Sequence, residues 1–443
     1  MKWRHSRYAN GCLLVRVRIR PILAVLLSFG TSFPALAAGF RAAAAKVDIT
    51  PSQSQWLMGY DPRKSTGVHD KIYHRVLAMD DGTTQFFLVS SDLCLFSPTV
   101  YDELTRRLQS ELGVQPRNVW WAVTHTHAAP EVGPPTVYRA LLGRSEHEWN
   151  RDYEKQVIDG AVQGIRTAKE KLEPARLSIG TGFSMANINR RAKDVDGSVS
   201  LGLNPDGPTD RQIGLLRFER SDGSPIAVVA NYAMHGTVMS GENLEISGDG
   251  PGVVESYVEE KFGAPVLYVN GAAGNLAPIY SVYPNPKAGH LSQFQVLLGD
   301  RIISALQSMG TATDRVTLQV GESTIETPRK AGLAWPEEMA GYSRTDAAGS
   351  SFVRLPIRFL QINDTLIWSA PVELFCEISN AVRRRSPFTH TFYFGYTNGW
   401  FGYLPTSAAF HEGGYEPKTS PFTDSAEKDV LEKVTTYISG LTR

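Results

Sequence analysis

Val119-Trp-Trp-Ala-Val-Thr-His125-Thr-His127-Ala-Ala-Pro130 opens as an unbroken apolar run and ends on two histidines. Five consecutive apolar residues, aromatic and β-branched, read as a strand buried on both faces. Residues two apart in extended backbone point the same way, so both imidazoles are expected on one side of the strand's exit. Ile226-Ala-Val-Val-Ala-Asn-Tyr-Ala-Met-His235 repeats the pattern and leads into Gly236. Leu366-Ile-Trp-Ser-Ala-Pro371 is a third such run, and Glu373 after it is expected to begin a helix over 372–385. Further strands are expected at 86–90, 213–218, 266–270 and 352–362, and helices at 149–171, 251–262 and 291–309. Ser97-Pro98 should open another helix, with Tyr101, Leu104, Leu108 and Leu112 on one face and Gly113 closing it. Such alternation of apolar runs with amphipathic stretches gives an α/β class: a mixed β-sheet covered by helices. The stretches 184–212 and 395–417 read as long ordered loops, a common place for function.

The surrounding composition narrows the class. Of 443 residues, 42% are hydrophobic, 20% charged and 10% aromatic, as in ordinary globular proteins. Six of the 45 basic residues, and no acidic one, lie within 1–37, so the remainder carries an excess of six acids. No long basic run occurs, which excludes nucleic acid as a partner. The basic start, the run Ile22-Leu23-Ala24-Val25-Leu26-Leu27 and Ala35-Leu36-Ala37 have the order of a secretory signal peptide. Residues 1–37 are therefore expected to be removed, leaving one domain over 38–443 that is secreted or periplasmic. No stable membrane span is expected, and contact with a membrane surface would be transient. Cys94 and Cys376 are either one disulfide or two buried thiols, and neither has a second Cys or a His at chelating spacing.

Ligand sites in α/β proteins collect where strands end. His125 or His127, His235 and Glu373 all stand at such ends, and two imidazoles with a carboxylate are a common catalytic zinc set. Each has an ordinary reading too, as loop histidines or a helix N-terminal charge. His411-Glu412-Gly-Gly-Tyr415 looks like a zinc-protease helix, but its paired glycines argue against one. Asn270-Gly-Ala-Ala-Gly-Asn275 could turn backbone N–H groups toward an anion, yet it lacks the Lys-Ser/Thr of a phosphate loop. Asp249 is expected to cap the helix after it. Arg190-Arg191 either binds a carboxylate or oxyanion or is a solvated pair.

Beyond these single features, an ordered series of motifs resembles the catalytic domain of the neutral ceramidase (neutral/alkaline non-lysosomal ceramidase) family. The series runs through Ala45-Lys-Val-Asp-Ile-Thr-Pro51, Met58-Gly-Tyr60, Gly67-Val-His-Asp70, Thr124-His-Thr-His127 and Asn187-Ile-Asn-Arg190. It continues with His235-Gly-Thr237, Ile246-Ser-Gly-Asp249, the segment 271–278, Gly402-Tyr-Leu-Pro-Thr406 and Gly413-Gly-Tyr-Glu416. The resemblance implies one zinc ion on His125, His235, Glu373 and Tyr403. It also implies His127 beside the scissile bond and Arg190 and Tyr415 in contact with substrate or oxyanion. Gly271 and Asn275 fall where the family's substrate-binding loop carries Ser and then Asp, and the family's C-terminal immunoglobulin-like domain is expected to be missing. The implied activity is zinc-dependent hydrolysis of an N-acyl amide, N-acylsphingosine or a related lipid. A deacylase or esterase of acylated sugars or other small amides on the same site, and a binding protein with a degenerate site, stay open beside it.

Overall fold

The computed structural model describes residues 39–145, 147–279, 281 and 290–441; the expected signal segment lies outside the described residues. Three sheets make the framework. In the first, the order is Val119–Val123, Gln85–Ser91, Tyr73–Asp80, Arg41–Asp48, with Glu173–Pro174 at the edge. The second runs Val266–Asn270, Pro225–Tyr232, Gln212–Glu219, Arg176–Phe183. The third runs Leu318–Pro328, Ser351–Ile362, Thr365–Ser369, His390–Phe394. Neighbours are mostly antiparallel, but each of these sheets ends in one parallel pair. His125, His235 and Glu373 each follow a strand of such a pair, so three sheets deliver one candidate ligand apiece.

Helices cover the sheets as the apolar patterning dictates. Pro98–Leu112 begins where Ser97 Oγ accepts the Thr99 N–H and ends at Gly113 in the left-handed region, and its Val100, Tyr101, Leu104 and Leu108 are buried. Burial of each such side chain contributes roughly 1.5–3 kcal/mol. Arg151–Glu170 lies on Arg41–Asp48 and Tyr73–Asp80, Asp249–Phe262 on Val266–Asn270, and Asp300–Ser308 on Arg176–Phe183. Polar ties join the layers. Arg75 is wholly buried and pairs with Asp92 (2.9 Å), Glu255 (2.7 Å) and Glu259 (2.7 Å), linking the first sheet to helix Asp249–Phe262. Asn231 Nδ2 donates to Val269 O (2.9 Å) and Tyr393 O (3.0 Å), linking the second sheet to the third.

Several expectations change. Glu373 does not begin a helix: it pairs in a short parallel ladder with Tyr403, and the helix starts at Cys376. The stretch 184–212 holds a hairpin of Asn187–Lys193 and Val199–Asn204, whose buried face is polar and therefore lacks the apolar alternation of a strand. The expected helix at 291–309 is present over 293–308, with a π-helical segment, Gln295–Gly299, leading directly into Asp300–Ser308. Cys94 and Cys376 are both free thiols.

Candidate metal centre

The strand Val119–Val123 ends two residues before His125, whose φ of 63° turns the chain out of the sheet. That turn, not continued extended backbone, is what brings the two imidazoles together, with ring centroids 4.7 Å apart and edges at 88°. His125 is fixed from three sides. Its N–H donates to Leu93 O (2.9 Å), its Nδ1–H to Cys94 O (2.8 Å), and its ring stacks on Tyr396 at 4.2 Å. His235 is held in the same way: its N–H (3.3 Å) and Nδ1–H (2.9 Å) both donate to Leu276 O. Committing Nδ1–H to a carbonyl leaves the Nε2 lone pair of each ring free for another partner, which is how proteins orient imidazole ligands.

Those lone pairs meet Glu373. Its Oε2 lies 3.3 Å from His125 Nε2 and 3.2 Å from His235 Nε2 and has no hydrogen-bond donor, while Oε1 accepts from Trp400 Nε1 (3.0 Å). The ligand atoms of His125, His235 and Glu373 fall within 4.8 Å of one another, and all three residues are buried. Close backbone contacts hold the segments together: an added Cβ on Gly236 would stand 2.6 Å from His125 O, and one on Gly274 would stand 2.5 Å from Glu373 O. Only glycine allows either approach.

Charge settles the protonation states. Burial, reinforced by Arg190 and His125, pushes His235 down to about 3, so it is neutral. Burial opposes the charge on Glu373, but His125 and His235 outweigh it and hold the carboxylate well below its usual range. Burial likewise opposes a charge on His125, yet Cys94 and Glu373 lift it to about 10. That second proton of His125 can only sit on Nε2, beside Glu373; a divalent cation in the cluster would take its place, free the Nε2 lone pair and balance the carboxylate. An orphaned buried carboxylate oxygen facing two oriented imidazole nitrogens fits such an ion.

A second ring of residues surrounds this set. His127 Nε2 sits 3.2 Å from His125 Nε2, while its Nδ1 is buried without a partner. Arg190 donates from Nε to Glu416 Oε1 (2.9 Å), from Nη1 to His235 Nε2 (3.0 Å) and from Nη2 to Tyr403 OH (3.1 Å). Tyr403 is thereby one guanidinium away from the ligand set. Tyr415, 39% exposed, stands edge-on to Tyr403 at 5.6 Å. Arg191 is no solvated residue: Glu416 Oε2 takes its Nη1 at 2.8 Å.

Not every expected residue is placed for its expected task. Asn275 is fully buried, its Oδ1 accepting the Cys376 N–H (3.0 Å) and its Nδ2 donating to Glu377 (2.8 Å), so no part of it is free for substrate. A side chain at Gly271 would press on Ala233 at 3.0 Å; that position faces the interior. Asp249 accepts from the Val238 (2.9 Å) and Met239 (3.0 Å) N–H groups, bracing the loop after His235. Cys94, expected to have no chelating neighbour, lies 3.8 Å from His125 Nδ1 because the exit of Gln85–Ser91 runs beside that of Val119–Val123. Sequence reasoning missed Glu416, Trp400 and Tyr396; of these only Glu416 lay within a quoted motif, Gly413-Gly-Tyr-Glu416.

Fold and site together define an α/β protein with a buried cluster of three residues that could hold a cation at the meeting of three sheets. Residues 40–274 match the family model described as neutral/alkaline non-lysosomal ceramidase, N-terminal. The chain belongs to this family. It is 29% identical over 263 residues to the neutral ceramidase of Pseudomonas aeruginosa, covering 55% of this chain and 38% of that protein. Against neutral ceramidase B of Dictyostelium discoideum it is 27% identical over 263 residues, 57% of this chain and 35% of the relative. The chain thus aligns with little more than a third of the length of these curated relatives. The crystal structure of the Pseudomonas aeruginosa neutral ceramidase shares the fold, with a TM-score of 0.73 at 19% identity over 91% of this chain and 74% of that one.

Proposed function

We propose that this chain is a zinc-dependent amidohydrolase acting outside the cytoplasm on an N-acyl lipid of the N-acylsphingosine type, releasing a fatty acid and a sphingoid base. The observation that carries the reading is the convergence of His125, His235 and Glu373 on one point, with Glu373 Oε2 lacking a donor. His125, His235 and Glu373 would hold the ion, and Tyr403, which the Arg190 guanidinium separates from the three, is the fourth donor that the family resemblance implies; two imidazoles, a carboxylate and a phenol suit zinc, though such donors also accept iron or manganese. Among the described residues no helix is long and apolar enough to cross a membrane. The basic and apolar pattern of residues 1–37 supports export.

A divalent cation there supplies Lewis acidity, lowering the pKa of a water from about 15.7 to about 7 and polarising an acyl oxygen. The protein's own groups do the rest. Burial, followed by the charges of His125 and His235, holds His127 well below the ordinary histidine range. It therefore enters as a base rather than as the acid its free pKa suggests. Nε2, the nitrogen facing the ligand set, takes a proton from the attacking water and returns it to the departing nitrogen, which cannot leave as an anion. Burial raises the Tyr415 phenol, so it keeps its proton and can donate to the developing oxyanion. Arg190, pinned by Glu416, brings a fixed positive charge to the same side.

Product identification tests the assignment. Metal-loaded protein is incubated with N-acylsphingosines, N-acylated sugars and acyl esters, and the products are read by mass spectrometry. The reading expects free sphingoid base and fatty acid from the first group. Intact N-acylsphingosine beside cleaved sugars or esters would overturn the substrate, and no turnover by metal-loaded protein would overturn the enzyme.

A further inference from the structure

The loop Asn270-Gly-Ala-Ala-Gly-Asn275, read from sequence as either a turn or an anion cradle, meets the backbone of every ligand segment. Gly274 N–H donates to Leu374 O (2.9 Å), next to Glu373, and Asn275 O accepts the Arg190 N–H (3.0 Å). The decisive contacts belong to the Asn270 side chain, which is fully buried. Its Nδ2 donates to Thr124 O (3.2 Å) and to Met234 O (2.8 Å), and its Oδ1 accepts the Met234 N–H (3.1 Å). Thr124 and Met234 are the residues immediately before His125 and His235. The backbone oxygen of Asn270 also accepts the Gly395 N–H (2.8 Å), one residue before the Tyr396 ring that stacks on His125.

We propose that Asn270 is the positioning residue of the metal centre, a single carboxamide that sets the spacing between the two ligand histidines by bridging the residues that precede them. The proposal rests on the reading that His125, His235 and Glu373 hold a cation. The chemistry requires an amide: two N–H donors must reach two carbonyls in different sheets while the oxygen accepts from the second of those segments. A carboxylate offers no donor, and a hydroxyl reaches one carbonyl only. His125 and His235 stand on separate sheets whose rims also meet beyond the histidines, through Gly236 N–H to His125 O (3.1 Å) and His127 N–H to Gly236 O (2.8 Å); the Asn270 carboxamide is the tie on the preceding side, so a lost bridge is expected at the ligand geometry first. Losing a group that orients a ligand typically weakens metal binding about 10–100-fold.

The test pairs Asn270→Asp with Asn231→Asp. Asn231 is a buried asparagine on the neighbouring strand; it also bridges two carbonyls, Val269 O and Tyr393 O, but not those of the residues next to His125 and His235. Full-length proteins are titrated with zinc against a competing chelator, the cobalt(II) forms are compared by visible absorption, and thermal midpoints are recorded. Asn270→Asp is expected to raise the zinc Kd about 10–100-fold and to alter the cobalt spectrum. Asn231→Asp is expected to lower the thermal midpoint while leaving both metal readouts as in the parent. Asn270→Ser, which keeps one donor, should fall between and serves if the aspartate variant does not fold. Parent-like zinc affinity and cobalt spectrum in the position-270 variants would overturn the proposal, and so would equal losses at 231 and 270. A parent protein that binds no zinc would defeat the metal reading itself, a result distinct from either.

Discussion

At His125 two requirements coincide: a left-handed backbone that leaves the sheet, and an Nδ1–H committed to Cys94 O so that Nε2 faces Glu373. His127 has a different environment: its Nε2 lies 3.2 Å from His125 Nε2, and it groups with His125 and Cys94 rather than with His235 and Glu373. His127→Ala should therefore retain zinc and lose about 10²–10⁴-fold in turnover, as for a lost general base; stoichiometric zinc loss in it would make His127 a ligand instead. Glu416 carries Arg190 and Arg191 together while itself buried. Glu416→Gln should cost about 3–5 kcal/mol, the range for breaking a buried pair, measured by urea unfolding. His125, His235 and Glu373 were legible as candidates because each follows an apolar run, but the choice of His125 over His127 and of ligation over a helix-terminal charge for Glu373 came through family resemblance. Tyr403 was not legible, since a loop tyrosine normally packs, and its place came only through family resemblance. Glu416 was hidden because its partners lie some 225 residues earlier, where no spacing rule reaches.

Strands and helices were legible to the degree that their buried faces are apolar. Val119–Val123 and Val266–Asn270 are buried along their whole length and announce themselves. Asn187–Lys193 buries Asn187, Asn189, Arg190 and Arg191, whose polar groups are satisfied by remote partners, so it read as a loop. Strand Tyr73–Asp80 carries a comparable polar insertion, His74, enclosed beneath helix Arg151–Glu170, with Nε2 bonded to Val157 O (2.8 Å) and Nδ1 to Ser91 Oγ (2.6 Å). Burial pushes His74 down to about 4. Because the folded value lies below the unfolded one, the unfolded chain binds the extra proton. Stability should fall as pH drops from about 6.5 to about 4, losing about 3 kcal/mol from this group. Urea midpoints at pH 7, 5.5 and 4.5 should decline more gently in His74→Gln; identical slopes would contradict the assignment.

Across the whole molecule, three sheets must keep register for the candidate ligands to meet, and they share one buried apolar cluster, from Leu77, Leu88 and Trp120 through Leu216, Val229 and Val269 to Leu360, Ile367 and Phe394, to which buried polar ties add specific contacts. Arg75 pairs with Asp92, Glu255 and Glu259 between the first sheet and the helix of the second, while Lys46 also pairs with Glu259 and burial pushes Glu255 up toward its protonated form. Arg75→Leu would leave buried carboxylates facing one another and should cost about 3–5 kcal/mol, seen as an early unfolding transition in calorimetry. The α/β class was legible from alternating apolar runs, and the family from ordered motifs. The three-sheet arrangement was not, because strand pairing across sheets depends on side-chain ties such as Arg75 and Asn231 that leave no periodic trace.

The proposed function rests on a single ion on His125, His235 and Glu373. Elemental analysis of the purified full-length protein, beside His235→Ala and Glu373→Gln, addresses it directly. The account predicts close to one zinc per chain in the parent and near none in folded variants, with amide hydrolysis lost in parallel. A parent that hydrolyses N-acyl amides with no divalent metal after chelation, or variants that keep their zinc, would contradict it.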